Sequence, residues 1–382
     1  MKVSAWCSRQ PYLDHLLPIW RALPDEVKGS VYVNRSRLDY AASLDLDPRP
    51  FESGAGGDLY LVFSRVDFAT VPRRAPLIFV EHGVGANYEG KSHIVAGSGA
   101  GPASRVAAVL TTPAQEPAHR QVFGSRVRVV GCPKLDAWRG YKHKKGRPPV
   151  VAFSHHWEQR TYPETRSAWP WDAEAWSRVI TSGKYRVLGH KHPGDPRPVD
   201  EWCSQHGIEF VPTFDEVLRR ADLYVADNSS TLYEFAATGR PVVVLSPPWY
   251  RRKVSHGARF WDHVPGVECA LAGHLKACIE EALKDVPGRR ELRERSVEAV
   301  YGALDGKATE RAVEVIVELA ARFPEGAKPD GMRPAKHRLV TYRNAQTGSI
   351  VTIPARSGRR MRYERAGWYL VDYHSEVDEV TS

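Results

Sequence analysis

No apolar run in this 382-residue chain approaches the roughly 18–20 residues of a membrane span. A secretory signal is not expected either. The opening MKVSAWCSRQPYLDHLLPIW carries one lysine and a broken apolar stretch, and reads as a strand, KVSAW, followed by a helix. Cysteine is scarce: Cys7, Cys132, Cys203, Cys269 and Cys278 are widely spaced, odd in number and form no CxxC. That excludes a disulfide framework and points to reduced core thiols in a cytoplasmic protein. Internal repeats and low-complexity tracts are lacking. So is a basic stripe interleaved with aromatics, since the lysines and arginines are dispersed apart from KHKKGR (142–147) and RRK (251–253). A dedicated nucleic-acid groove is therefore not expected.

What is present bounds the chain more closely. Its length suits two domains, and 42% hydrophobic with 26% charged residues is the composition of a soluble globular protein. The formal net charge of +9 favours anionic partners such as nucleotides or phosphates. Short apolar runs alternate with helical patterns over the first 325 residues. KVSAW, SVYVN, DLYLVFS, PLIFVEH, AAVLTT and RVRVVG read as strands buried on both faces of a parallel sheet. After YKHKKGRPP (141–149), a basic, Pro-terminated linker, the pattern restarts with PVVAFSH, YRVLGH, IEFVP, DLYVAD and PVVVL. The expected fold is thus α/β, with two Rossmann-like doubly wound domains, residues 1–145 and 146–325. RLVTYRN, SIVTIPA and GWYLVDY form a small β appendage within 331–382.

In open α/β sheets, ligands sit beyond the carboxyl ends of the strands. Three stretches lie at such ends, the tandem His155-His156 after PVVAFS lies at another, and one further stretch opens a helix. Asp227-Asn228-Ser229-Ser230 leads from a strand into a helix, where small polar side chains can cap the helix and reach a ligand; an ordinary N-cap fits this stretch equally. Thr231-x-x-Glu234 fits a capping box, leaving a helix end suited to phosphate. Glu81-His82-Gly83 ends another strand, with a histidine in reach of a cleft and a glycine that lets backbone approach a ligand. Gly189-His190-Lys191-His192 suits a phosphate-bearing leaving group. No cysteine or carboxylate at ligand spacing accompanies its histidines, so no metal is expected. Asp305-Gly306-Lys307-Ala308-Thr309-Glu310-Arg311 places Lys and Arg at a helix start, as a diphosphate clamp or as a solvated turn.

The order of these motifs resembles the CDP-glycerol glycerophosphotransferase family over roughly residues 75–320. The resemblance rests on HG after a buried strand, HKHP, D-x-S-S before a helix with GRPVV, and DGKATER. Glu81 stands where that family carries tryptophan, and Asn228 where it carries an aromatic residue. The ADNSSTLYEFAATGRPVV block also resembles nucleotide-sugar 2-epimerase relatives. The resemblance implies a GT-B fold whose two domains face a cleft, acceptor on the first and nucleotide donor on the second, with the final helices crossing back. It implies His82 and His192 as functional histidines, and Ser229 and Ser230 at the donor phosphates. It also implies Lys307, Glu310 and Arg311 near the diphosphate. Gly83, Lys191, Asp227 and Glu234 complete the expected donor-binding set.

The expected activity is transfer of a glycosyl or glycerophosphoryl group from CDP-glycerol or an NDP-sugar to a hydroxyl acceptor. That acceptor is a glycan, a polyol polymer, a protein or a modified nucleic acid. His82 serves as general base, and no cofactor is needed. Two rival classes stand beside it. A 2-epimerase-type isomerase would use acidic groups such as Glu81 and Asp195. A non-catalytic binding protein would dock a partner on the aromatics of ERAGWYLVDYH.

Overall fold

A computed structural model of the protein describes residues 1–51, 57–64, 67–68, 70–72, 75–83, 105–138, 141–145, 147–158, 166–251 and 263–322, and the backbones of three further strands. The first sheet holds β1 (Val3–Cys7), β2 (Lys28–Val33), β3 (Pro48–Pro50), β4 (Leu59–Val62), β5 (Leu77–Val80), β6 (Val106–Thr111) and β7 (Val127–Val129). Its order is β3-β2-β1-β4-β5-β6-β7 and every pairing is parallel. The second holds β8 (Val150–Ser154), β9 (Arg186–Gly189), β10 (Glu209–Phe210), β11 (Leu223–Ala226), β12 (Val242–Leu245) and β13 (Val267–Cys269), in the order β10-β9-β8-β11-β12-β13. Counted from its own first strand, each sheet follows the doubly wound order 3-2-1-4-5-6, which the first sheet extends by a seventh strand.

The continuous apolar runs are buried on both faces because each sheet is covered twice. Val3, Ala5 and Cys7 of β1 point into one cluster with Leu13, Leu16 and Ile19 of helix α1 (Gln10–Ala22). Trp6 points the other way, toward Tyr60, Phe79 and Phe123. Helices α2 (Leu38–Ala42) and α3 (Glu116–Phe123) complete the first layer. Around the second sheet lie α4 (Ala173–Thr181), α5 (Val199–Gln205), α6 (Phe214–Arg220), α7 (Ser230–Ala236), α8 (Leu275–Lys284) and α9 (Pro287–Tyr301). The chain then returns: Ala312, Ile316 and Ala320 of α10 (Ala308–Arg322) are buried in the first sheet's cluster, beside α1.

Two strands escaped the sequence reading. β3 is Pro-Arg-Pro, tolerable only because it is an edge strand whose missing N–H groups face outward. β13, three residues long, is the opposite kind of edge, too short to show periodicity. The three C-terminal runs form β14 (Arg338–Asn344), β15 (Ile350–Pro354) and β16 (Trp368–Ser375), an antiparallel sheet in the order β15-β14-β16. Among the described residues, no helix is long and apolar enough to cross a membrane.

Candidate active site

The HG turn at the end of β5 is fixed from beneath by a carboxylate. Glu81 Oε1 accepts the backbone N–H groups of His82 (3.1 Å) and Gly83 (3.4 Å), and Oε2 meets His119 Nε2 at 2.9 Å. From the other side, buried Gln115 donates Nε2–H to the Gly83 carbonyl at 3.1 Å. The side chains of Glu81 and His119 are buried, whereas that of His82 is 32% exposed. The His82 ring stands edge-on to Tyr12, centroids 4.6 Å apart, with His15 of the same helix at 6.2 Å.

The second sheet brings its own strand ends to this turn. A Cβ placed on Gly83 would lie 3.8 Å from Ser230 Oγ, so the HG turn and the Ser-Ser turn face each other closely. Ser229 is the N-cap of α7: its Oγ accepts from the Thr231 N–H at 3.4 Å and contacts Thr231 Oγ1 at 2.8 Å. The capping box expected from Thr231 and Glu234 is corrected here. Glu234 is buried and pairs at 2.6 Å with Lys134, a residue 100 positions away, so its carboxylate is taken from the helix end. Burial works against the Lys134 charge, but Glu234 and Asp14 outweigh it and hold the ammonium. Asp14, raised by its own burial, accepts from Tyr40 Oη at 2.9 Å. Nothing in the motif pattern marks Asp14, Lys134 or their pairing.

At the end of β9, His192 Nδ1 accepts the Gly194 N–H at 3.0 Å, which leaves the proton on Nε2 and makes that atom the donor toward a ligand. Its ring lies 6.4 Å from His156 and 6.1 Å from Trp157. Burial, then His156 and Arg9, push its pKa down to about 4. Arg9 lies two residues past β1 and is exposed, so the field of a first-sheet cation reaches a second-sheet histidine. Position at a strand end marks the tandem His155-His156, and the same signal could have singled out Arg9.

Other expected residues point inward. Lys191, expected at the donor phosphate, is tied to Asp200 at 2.6 Å and to the Arg197 carbonyl at 3.2 Å. Asp227 is fully buried, its oxygens accepting the N–H groups of His156 (2.7 Å) and Ala168 (2.8 Å); it shapes the loop instead of offering a carboxylate. The DGKATER segment forms a joint. Arg311 clasps Asp305 at 2.7 and 3.2 Å and donates Nε–H to the Val130 carbonyl, binding α10 to the end of β7. The Arg311 hydrogen bonds and the Lys307 N–H hold the Asp305 carboxyl down to about 2. Asp136 caps α10 through the N–H groups of Ala308 (3.3 Å) and Thr309 (2.7 Å), so this helix end is already satisfied. Lys307 and Glu310 accompany that joint. Among the described residues, no three His, Cys, Asp or Glu side chains converge as a metal would require.

Residues 137–318 match a family described as CDP-Glycerol:Poly(glycerophosphate) glycerophosphotransferase. The match spans His192, the Ser-Ser turn and Arg311, and begins beyond the HG turn. Comparison with curated protein sequences gives no match. Solved structures with the same architecture include the wall teichoic acid polymerase TagF, at 11% identity over 84% of this chain and 89% of that one, TM-score 0.58. They include S. aureus MnaA in its co-structure with UDP, at 17% identity over 87% and 100%, TM-score 0.56. UDP-GlcNAc 2-epimerase of Methanocaldococcus jannaschii is a further one, at 14% identity over 83% and 100%, TM-score 0.52. The chain thus has the GT-B fold, and its residues 137–318 are similar to the CDP-glycerol glycerophosphotransferase family.

Proposed function

We propose that this protein transfers a nucleotide-activated group, glycerophosphoryl or glycosyl, to an acceptor hydroxyl. One observation carries the reading: the HG turn of the first sheet faces the Ser-Ser turn of the second, with His82 on one side and His192 Nε2–H on the other. In this reading residues 1–145 take the acceptor and 146–325 the donor. His82 accepts the proton of the acceptor hydroxyl. The acceptor oxygen then bonds to the glycerol-bearing phosphorus of CDP-glycerol, the bond from that phosphorus to the oxygen of CMP breaks, and the electron pair departs with CMP. With an NDP-sugar, the new bond forms at the anomeric carbon and NDP departs. His192, the Ser229 and Ser230 hydroxyls and Arg9 meet the charge on the leaving phosphate. These protein groups carry that charge without a metal or cofactor in the proposed scheme. Five free thiols suit a reducing, cytoplasmic setting.

The isomerase alternative is disfavoured by its own candidates. Glu81 is occupied by two backbone N–H groups and His119, and Asp195 by Arg197 at 2.8 and 3.1 Å.

The test is a thermal-shift panel of CDP, UDP, GDP, CDP-glycerol and NDP-sugars, followed by turnover with the best donor. A ligand at 100 times its Kd stabilises by about 2.7 kcal/mol. His82→Ala is expected to lose turnover at least about 100-fold while keeping the donor's thermal shift. No shift with any nucleotide, or full turnover in His82→Ala, overturns the assignment.

A further inference from the structure

We infer that Glu81 is a positioning residue for His82: a buried carboxylate that fixes the HG turn and supplies the negative charge that makes His82 a stronger base. The inference rests on His82 serving as the base, as proposed above. Three donors converge on Glu81, the N–H groups of His82 and Gly83 on Oε1 and the His119 ring on Oε2 at 2.9 Å. Hydrogen bonds of this kind favour the ionised carboxylate. The same Oε1 lies 4.0 Å from His82 Nδ1, too far for a hydrogen bond and close enough for a strong charge contact across a buried path.

Helix α1 presents Tyr12 and His15 to the His82 ring. Lys134 acts on His15 and on Asp14, and pairs with Glu234. Helix α3 contributes His119, which meets Glu81. Across the cleft stands the uncharged Ser230 hydroxyl.

As His82 takes the acceptor proton it becomes an imidazolium, and a carboxylate 4.0 Å away stabilises that cation more than the neutral ring. No proton passes to Glu81. It acts by charge and by holding the backbone of His82 and Gly83, with Gln115 steadying the Gly83 carbonyl.

Glu81→Gln tests this, because the amide keeps an acceptor oxygen for the two backbone N–H groups and removes the charge. The ring Cε1–H signals of His82 are followed by NMR from pH 5 to 9, with His82→Ala used to assign them. The variant is expected to lower the His82 pKa by about one unit. The acidic limb of the pH profile, read as CMP release from CDP-glycerol with glycerol as acceptor, should move down with it. An unchanged His82 titration in a folded Glu81→Gln protein overturns the inference, as does a shifted titration with an unmoved acidic limb. The titration alone decides where CDP-glycerol is not turned over. Should the variant not fold, the unaltered protein still decides: His82 titrating at or below about 6.5, its ordinary value, removes the proposed effect. Turnover by His82→Ala would remove the base assignment and leave the charge coupling intact, so the two failures are distinguishable.

Discussion

His192 is neutral at physiological pH, since burial, then His156 and Arg9, push its pKa down to about 4. It therefore meets a phosphate as an N–H donor, not as a charge. A diphosphate bound against Nε2 would bring negative charge to a ring now surrounded by His156 and Arg9. The His192 pKa is then expected to rise by at least about one unit on saturation with CDP or UDP, measured by NMR titration. A ring that titrates the same with and without nucleotide places the phosphates elsewhere. The placement of His82, Gly83, His192, Ser229 and Ser230 at strand ends was legible in the sequence, because each sits just past an apolar run. Lys134 and Asp14 were not. Their meaning comes from Glu234, which lies 100 residues from Lys134, and no local pattern encodes such a pairing.

Among the elements, α7 shows most clearly what a local pattern can and cannot give. Its start at Ser230 was readable from the N-cap Ser229, a local hydrogen bond. The capping box was not realised because Glu234 has a stronger partner in a buried Lys134. Cutting that pair leaves a buried ammonium without its counter-charge. Glu234→Gln is expected to destabilise the protein by about 3–5 kcal/mol, and the Lys134→Met/Glu234→Gln double variant by less than Glu234→Gln alone. Urea unfolding of the variants measures both; a double variant no more stable than Glu234→Gln would show that the ion pair is not the source. The central strands were visible as continuous apolar runs. The edges β3 and β13 were not, since a proline-bounded triplet and a three-residue strand carry no period.

Among the described residues, three histidines have a lowered pKa, chiefly through burial of the ring: buried His15 and His190, and half-buried His192. In the unfolded chain each binds a proton near pH 6.5, whereas the folded protein refuses it until about pH 4 for His190 and His192. The unfolded state then holds more protons, so stability is full above about pH 6.5 and falls as pH drops toward 4. Asp67, pushed up to about 6 by burial, and Asp14, raised by burial as well, work the other way as pH falls, as does His155, whose burial is outweighed by Asp172. Between pH 7 and 4, His192→Asn should therefore lose stability less steeply than the unaltered protein, read from urea midpoints. Identical slopes would mean that this ring is hydrated in solution. The two doubly wound sheets were legible at this scale because parallel strands covered on both faces write themselves as uninterrupted apolar segments.

The return of α10 to the first sheet bears on how the chain is made. Ala312, Ile316 and Ala320 fill a core whose strands begin at residue 3, so that core closes only after more than three hundred residues have left the ribosome. The second sheet, complete by Cys269 and covered by α9 at Tyr301, has all its parts sooner. Chains usually fold from the amino end during synthesis. Here the later-made half can finish first, and the earlier-made half waits for a helix that the other half's last turn delivers.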